Sequence, residues 1–217
     1  MLISHSHEFI FIHNYKVAGT SIRSALSKYS PWYKRNKYSN ILYDKLASKI
    51  NPNYISSHAT AFEIKNKLSP EIYDNYFKFA FVRNPWDWQV SLYFFMLKNK
   101  SHHQHELIRS MNSFEEYVEW RVNEDCHLQK EFLVDDVGNL IVDYIGKYEN
   151  LQDDFDEICR QIGINASLPH KNKTKHKDYR EYYNDYTRNL IEEAFKEDIE
   201  MFGYSFDQPK NDDYMNE

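Results

Sequence analysis

Cysteine is nearly missing from this chain, with only Cys126 and Cys159 in 217 residues. Two distant cysteines make no disulfide framework, so a reducing compartment is the natural setting and the fold must be held by its core. Glycine and proline are scarce too, five and six, and no stretch reads as a linker. One domain is therefore expected over residues 1–206, with an acidic, frayed tail over 207–217. No apolar run nears the ~20 residues of a spanning helix. The first residues, MLISHSHEFIFIHN, lack a basic start, and their apolar run is too short for a secretory signal. The expectation is a soluble, cytoplasmic protein without a transmembrane segment. Excess positive charge is also lacking. The formal net charge is −6, which argues against nucleic-acid binding. Any anion site must be a local positive spot on an acidic protein.

What the chain does have is a sufficient apolar content, 41%, and two places where a strand pattern turns into a helix pattern. The first is Phe9–Tyr29. Four apolar residues, Phe9 to Ile12, suit a strand buried on both faces, as in a parallel sheet. A small and polar loop follows, His13 to Gly19, carrying Lys16. From Thr20 the period changes, with Ile22, Ala25, Leu26 and Tyr29 on one helical face. A helix start offers unpaired N–H groups and partial positive charge, which favour phosphate or sulfate. Lys16 adds a full charge, Thr20 and Ser21 add hydroxyls, and Gly19 lets the backbone come close to a ligand. The loop is not a Walker A motif, because its lysine precedes Gly19-Thr20-Ser21 instead of following the second glycine. Alone, it suits an anion site and an ordinary solvated turn equally well.

The second place is Phe77–Leu97. An apolar strand, Phe77 to Val82, runs into Arg83-Asn84-Pro85 and then a helix with Val90, Tyr93, Phe94 and Leu97 as its apolar stripe. In open α/β sheets ligands collect beyond the carboxyl ends of the strands. Neighbouring strands would therefore turn Arg83 and Lys16 toward one crevice. The pair of stretches resembles the cytosolic and carbohydrate sulfotransferases that use 3′-phosphoadenosine 5′-phosphosulfate (PAPS). In that family a Lys-x-x-Gly-Thr-Ser loop grips the 5′-phosphosulfate, and an arginine and a serine eight residues apart grip the 3′-phosphate. The matching residues here are Lys16, Gly19, Thr20 and Ser21, then Arg83 and Ser91. Ala18 stands where glycine is common, Tyr15 where proline often precedes the lysine, and Trp88 where arginine is frequent.

The resemblance extends to Ser56–Ile64, Leu128–Leu151 and Leu168–Tyr183. It implies an α/β fold, a single domain with a central, mainly parallel sheet flanked by helices, in the P-loop-NTPase-like sulfotransferase form. It also implies PAPS as co-substrate, released as 3′,5′-ADP, with Lys16, Ala18, Gly19, Thr20, Ser21, Arg83 and Ser91 as its binding residues and no metal required. Lys16 would stabilise charge on the leaving oxygen. His58, in the segment where the family carries a histidine, would take the acceptor's proton, with an ordinary imidazole pKa near 6.5 suited to that task. His13 is the weaker candidate. The implied acceptor is a hydroxyl on a glycan or glycolipid. Two rival classes stay open: a nucleotide-dependent kinase on a related fold, with Asp87 the nearest approach to a magnesium ligand, and a non-catalytic module that binds PAPS or its product.

The remaining signals are structural. A weak helix is expected over Ile41–Ile50 and a short strand over Asn53–Ser57. Thr60 with Glu63, and Ser113 with Glu116, read as capping boxes, and Ser69-Pro70 as a helix start. His102-His103-Gln104-His105 lacks the carboxylate or cysteine partners of a structural zinc site, so a solvated or substrate-facing loop is expected there. Asp136–Asn139 reads as a turn before a strand-like run ending at Tyr148. Asn150 opens a helix that Gly163 stops. Pro169–Arg180 is the one basic stretch, a solvated loop or a cover for the nucleotide in equal measure. A last helix is expected from Asp185 to Phe202, ended by Gly203.

Overall fold

A computed structural model of the chain describes residues 1–30, 55–169 and 177–208. In chain order these hold strands β1 (Leu2–Ser4), β2 (Phe9–Ile12), β3 (Phe77–Val82) and β4 (Tyr144–Lys147). The helices are α1 (Gly19–Leu26), α2 (Ala61–Lys67), α3 (Pro70–Asn75), α4 (Pro85–Lys98), α5 (His105–Ser110), α6 (Phe114–Glu124), α7 (Leu151–Gln161), α8 (Asp185–Ala194) and α9 (Lys196–Phe202). The helix expected over Ile41–Ile50 lies outside the described residues. So do most of the basic stretch and nearly all of the tail. The chain packs as two compact units, residues 1–82 with 131–171, and 83–130 with 172–217.

The first unit is an α/β layer. Its sheet runs β1-β2-β3-β4, with β2, β3 and β4 parallel and β1 antiparallel at the edge. Phe9 pairs with Phe77, and Val82 with Lys147. All four residues of β2 are fully buried, as a strand covered on both faces requires. On one face Phe9, Phe11, Phe79 and Phe81 pack with Val17, Ile22 and Leu26 and with Phe155 and Ile158 of α7. Gly146 of β4 is glycine because a Cβ there would lie 2.4 Å from the Phe81 ring. Asp154 of α7 ties the helix to β4, accepting hydrogen bonds from Tyr144 Oη and Lys147 N at 3.0 and 2.6 Å. Of the strand expected over Asn53–Ser57, the first two residues lie outside the described residues and Ile55–Ser57 are not strand. Thr60 does open α2 reciprocally with Glu63, through bonds of 3.1 and 2.8 Å, and this fixes the segment that carries His58.

The second unit is helical. Asn84 caps α4 through Trp86 N, and Pro85 sits in the first turn where its missing N–H does no harm. Every residue from Pro85 to Leu92 is buried, so α4 enters the core with all its faces, where the sequence pattern predicts a single stripe. Tyr93, Phe94 and Leu97 are only partly covered. Ser113 caps α6 through Glu116 N, but the Glu116 carboxylate accepts from Asn112 N instead of closing the box. The single long helix expected from Asp185 is broken at Phe195, whose φ and ψ are −107° and 20°. The break lets the fully buried Phe195 face the core while fully buried Asp198 accepts from the backbone N–H groups of Gln129 and Lys130. Gly203, at φ 63°, ends α9 as expected. No helix among the described residues is long and apolar enough to cross a membrane.

Candidate active site

The loop between β2 and α1 is built from unusual backbone. Lys16 and Ala18 both take left-handed φ, 58° and 60°, which costs a residue with a Cβ roughly 1 kcal/mol. That turn brings the Ala18 carbonyl over the start of α1, where it accepts from Ser21 N at 2.9 Å and Ile22 N at 3.1 Å. Ala18 has no polar side chain, so none caps α1. The amino end of the helix thus presents its partial positive charge with no side chain of the loop capping it. Thr20 is exposed and Ser21 is buried beside it.

Gly19 has a different reason from the one its sequence context implies. A Cβ there would lie 1.8 Å from His13 Nε2. The space is taken by the imidazole of this chain, not left open for a ligand. His13 is 7% exposed, and its Nδ1 has no hydrogen-bond partner among the described residues.

His58 docks on this same loop. Its Nδ1 lies 3.0 Å from the His13 carbonyl oxygen. A carbonyl only accepts, so Nδ1 carries the proton and Nε2 the lone pair. The ring lies between His13, 4.4 Å away and tilted, and Tyr15, stacked at 4.2 Å and 14°. Phe132 meets Tyr15 edge-on at 5.5 Å. Burial, opposed by the bond to His13 and aided by the Met1 ammonium and Arg23 on α1, brings the His58 pKa down to about 4. Burial, with those same charges and His58, holds His13 well below 6.5. The expectation of an ordinary imidazole at position 58 is therefore corrected. Arg23, one turn into α1, was passed over by the sequence pattern because an exposed helix face normally carries such charges.

Arg83 is the first residue after β3. It is 5% exposed, and its Nε and Nη2 donate to Asp87 Oδ2 at 2.9 and 2.8 Å. The Gln129 side chain exchanges two bonds with the Arg83 backbone, 2.9 Å from Arg83 N and 2.7 Å to Arg83 O. Asp87 is thus engaged as the partner of an arginine. Ser91 is buried, and its Oγ lacks a hydrogen-bond partner among the described residues. Trp88 points into the core, edge-on to Phe195 and beneath the Arg121 guanidinium. His105 is buried with Nδ1 on the Met96 carbonyl, while His102 and His103 stack on each other. A cleft bordered by His7, Glu8 and Phe77 lies at the amino ends of β2 and β3, the wrong end of the sheet for the Lys16 loop.

The first unit thus holds a mainly parallel sheet and a strand–loop–helix with a lysine and two hydroxyls, against which His58 is docked. A sequence model of the sulfotransferase family matches residues 1–205, and the chain belongs to that family. It is 26% identical to carbohydrate sulfotransferase 11 of Rattus norvegicus, over 94% of this chain and 67% of that one. An uncharacterized protein of Archaeoglobus fulgidus is 32% identical over 50% of this chain and 85% of its own length.

Proposed function

We propose that this sulfotransferase moves a sulfuryl group from PAPS to a hydroxyl of a carbohydrate. The observation that carries the reading is the His58 tautomer. A proton on Nδ1, donated to the His13 carbonyl, leaves Nε2 as an acceptor on a ring docked against the Lys16 loop. The acceptor oxygen attacks sulfur while its proton passes to His58 Nε2, and the bond from sulfur to the bridging oxygen of the 5′-phosphate breaks. 3′,5′-ADP leaves. Charge growing on that oxygen is met by Lys16, a compact cation, and by the donors at the start of α1. Thr20 and Ser21 add hydroxyls to the 5′-phosphate. Arg83 and Ser91 take the 3′-phosphate, for which a planar guanidinium is the suited partner. In-line placement of the reactants does most of the remaining work.

A sugar acceptor is supported by the relative named as a carbohydrate sulfotransferase. Incubation with PAPS and a panel of glycans, read by mass spectrometry, tests the proposal. One glycan should gain the mass of a sulfate with stoichiometric 3′,5′-ADP. Sulfation of phenols or small alcohols alone would move the acceptor class, and no 3′,5′-ADP release with any hydroxyl would end the reading.

A further inference from the structure

An arginine that binds phosphate as a simple point charge would have no use for a buried carboxylate against it, since the carboxylate cancels part of its charge. Yet Asp87 takes both Nε and Nη2 of Arg83 onto one oxygen, at 2.9 and 2.8 Å, with both side chains largely buried. Such a partner helps only where direction counts for more than net charge. The guanidinium is planar, so fixing two of its nitrogens fixes the direction of every other N–H. The backbone of Arg83 is held as firmly. Gln129 bonds both its N–H and its carbonyl, and Gln129 N is itself anchored on the buried carboxylate of Asp198. Ser91 stands four residues past Asp87 on the same face of α4. Ser91 is 1% exposed, and its buried hydroxyl has no hydrogen-bond partner among the described residues, a state that costs free energy until a ligand fills it.

We propose that Asp87 is a positioning residue for the nucleotide's 3′-phosphate: it aims the Arg83 guanidinium at a phosphate whose remaining contact is the Ser91 hydroxyl. The ligand's identity rests on the function proposed above. What is added is that preference for a 3′-phosphorylated nucleotide depends on the Asp87 carboxylate and not on the cation alone.

Calorimetric titrations with 3′,5′-ADP and 5′-AMP test this on the unmutated enzyme, Asp87→Asn and Asp87→Glu. Asparagine keeps the shape and removes the charge. It should reduce the preference for 3′,5′-ADP about tenfold, the worth of one charged hydrogen bond, and leave 5′-AMP affinity unchanged. KM for PAPS should rise while kcat at saturation holds. In an Arg83→Ala background the same change should do nothing further. Asp87→Glu retains the ion pair, so it should fold even where the asparagine variant does not. By shifting the guanidinium one methylene it should lose several-fold of the preference. A lower melting temperature with the preference intact in both variants would make Asp87 a structural ion pair and overturn the proposal. A preference that rises would make Asp87 a competitor of the phosphate and overturn it equally. Equal affinity of the unmutated enzyme for both nucleotides would instead sink the assignment of the 3′-phosphate to Arg83 and Ser91, and this inference with it.

Discussion

A general base must be unprotonated, must present its lone pair, and must hold still. His58 meets all three conditions through one bond and two ring contacts, at the cost of being a weaker base than an ordinary imidazole. Donation of Nδ1–H to the His13 carbonyl fixes the tautomer, and His13 and Tyr15 hold the ring from either side. Because burial lowers its pKa to about 4, His58 is neutral across the whole range in which an ordinary histidine would titrate. The acid limb of kcat should then lie near pH 4 rather than near 6.5, since protonation below its folded pKa removes the acceptor. His58→Asn keeps a donor for the His13 carbonyl and deletes Nε2. It should lower kcat roughly 10²–10⁴-fold, the scale of general-base catalysis, and leave 3′,5′-ADP affinity close to that of the unmutated enzyme. Steady-state rates from pH 4 to 8, with calorimetry on the same samples, check both points. An unchanged kcat would send the search for the base to another residue.

At the scale of elements, the two strand–turn–helix units were legible because each changes hydrophobic period within a few residues. Phe9–Ile12 and Phe77–Val82 are parallel neighbours, as that pattern implies. β1 was not legible, because three residues carry no periodicity. Nor was the place of β4 in the sheet, since a strand-like run does not name its neighbour. The break at Phe195 was hidden because the stripe of Ile191, Phe195, Ile199 and Phe202 continues across it, and only the anchoring of Asp198 reveals it. The residues of the Lys16 loop were legible as a motif, but their backbone was not. Ala18 and Gly19 have their conformational demands interchanged: the left-handed position carries the Cβ, and the glycine follows it. Opposite effects should result. Ala18→Gly relieves a left-handed alanine and should be neutral to stabilising, by up to about 1 kcal/mol. Gly19→Ala must push the His13 ring or open α1, and should cost about 1–3 kcal/mol together with nucleotide affinity. Urea denaturation of the two variants decides it. A harmless Gly19→Ala would mean that the His13 ring is not fixed against α1.

For the molecule as a whole, the family match over residues 1–205 agrees with the α/β class read from the two strand–turn–helix units. Its response to acid was not readable, because burial of particular histidines decides it. His13 and His58 are both held below their ordinary pKa, chiefly by burial. The unfolded chain therefore takes up protons near pH 6.5 that the folded protein refuses. Stability rises with pH wherever the unfolded state binds more protons, so these groups contribute fully above pH 6.5. Their contribution is lost as pH falls, until His58 protonates in the folded state near pH 4. The slope is at most about 1.4 kcal/mol per pH unit for each such group. Carboxylates that titrate at the acid end belong equally to a variant lacking one histidine, so a comparison cancels them. Replacing His58 by asparagine removes one of the two groups and should make the stability curve between pH 7.5 and about 4.5 visibly flatter. The crossing matters more than the height of either curve: the variant, less stable or equal at neutral pH, should gain on the unmutated protein steadily as acid is added. Chemical denaturation midpoints at half-unit intervals would show it. Parallel curves would mean that His58 is as easily protonated in the folded protein as in the unfolded chain, and the neutral, pre-set base would go with them.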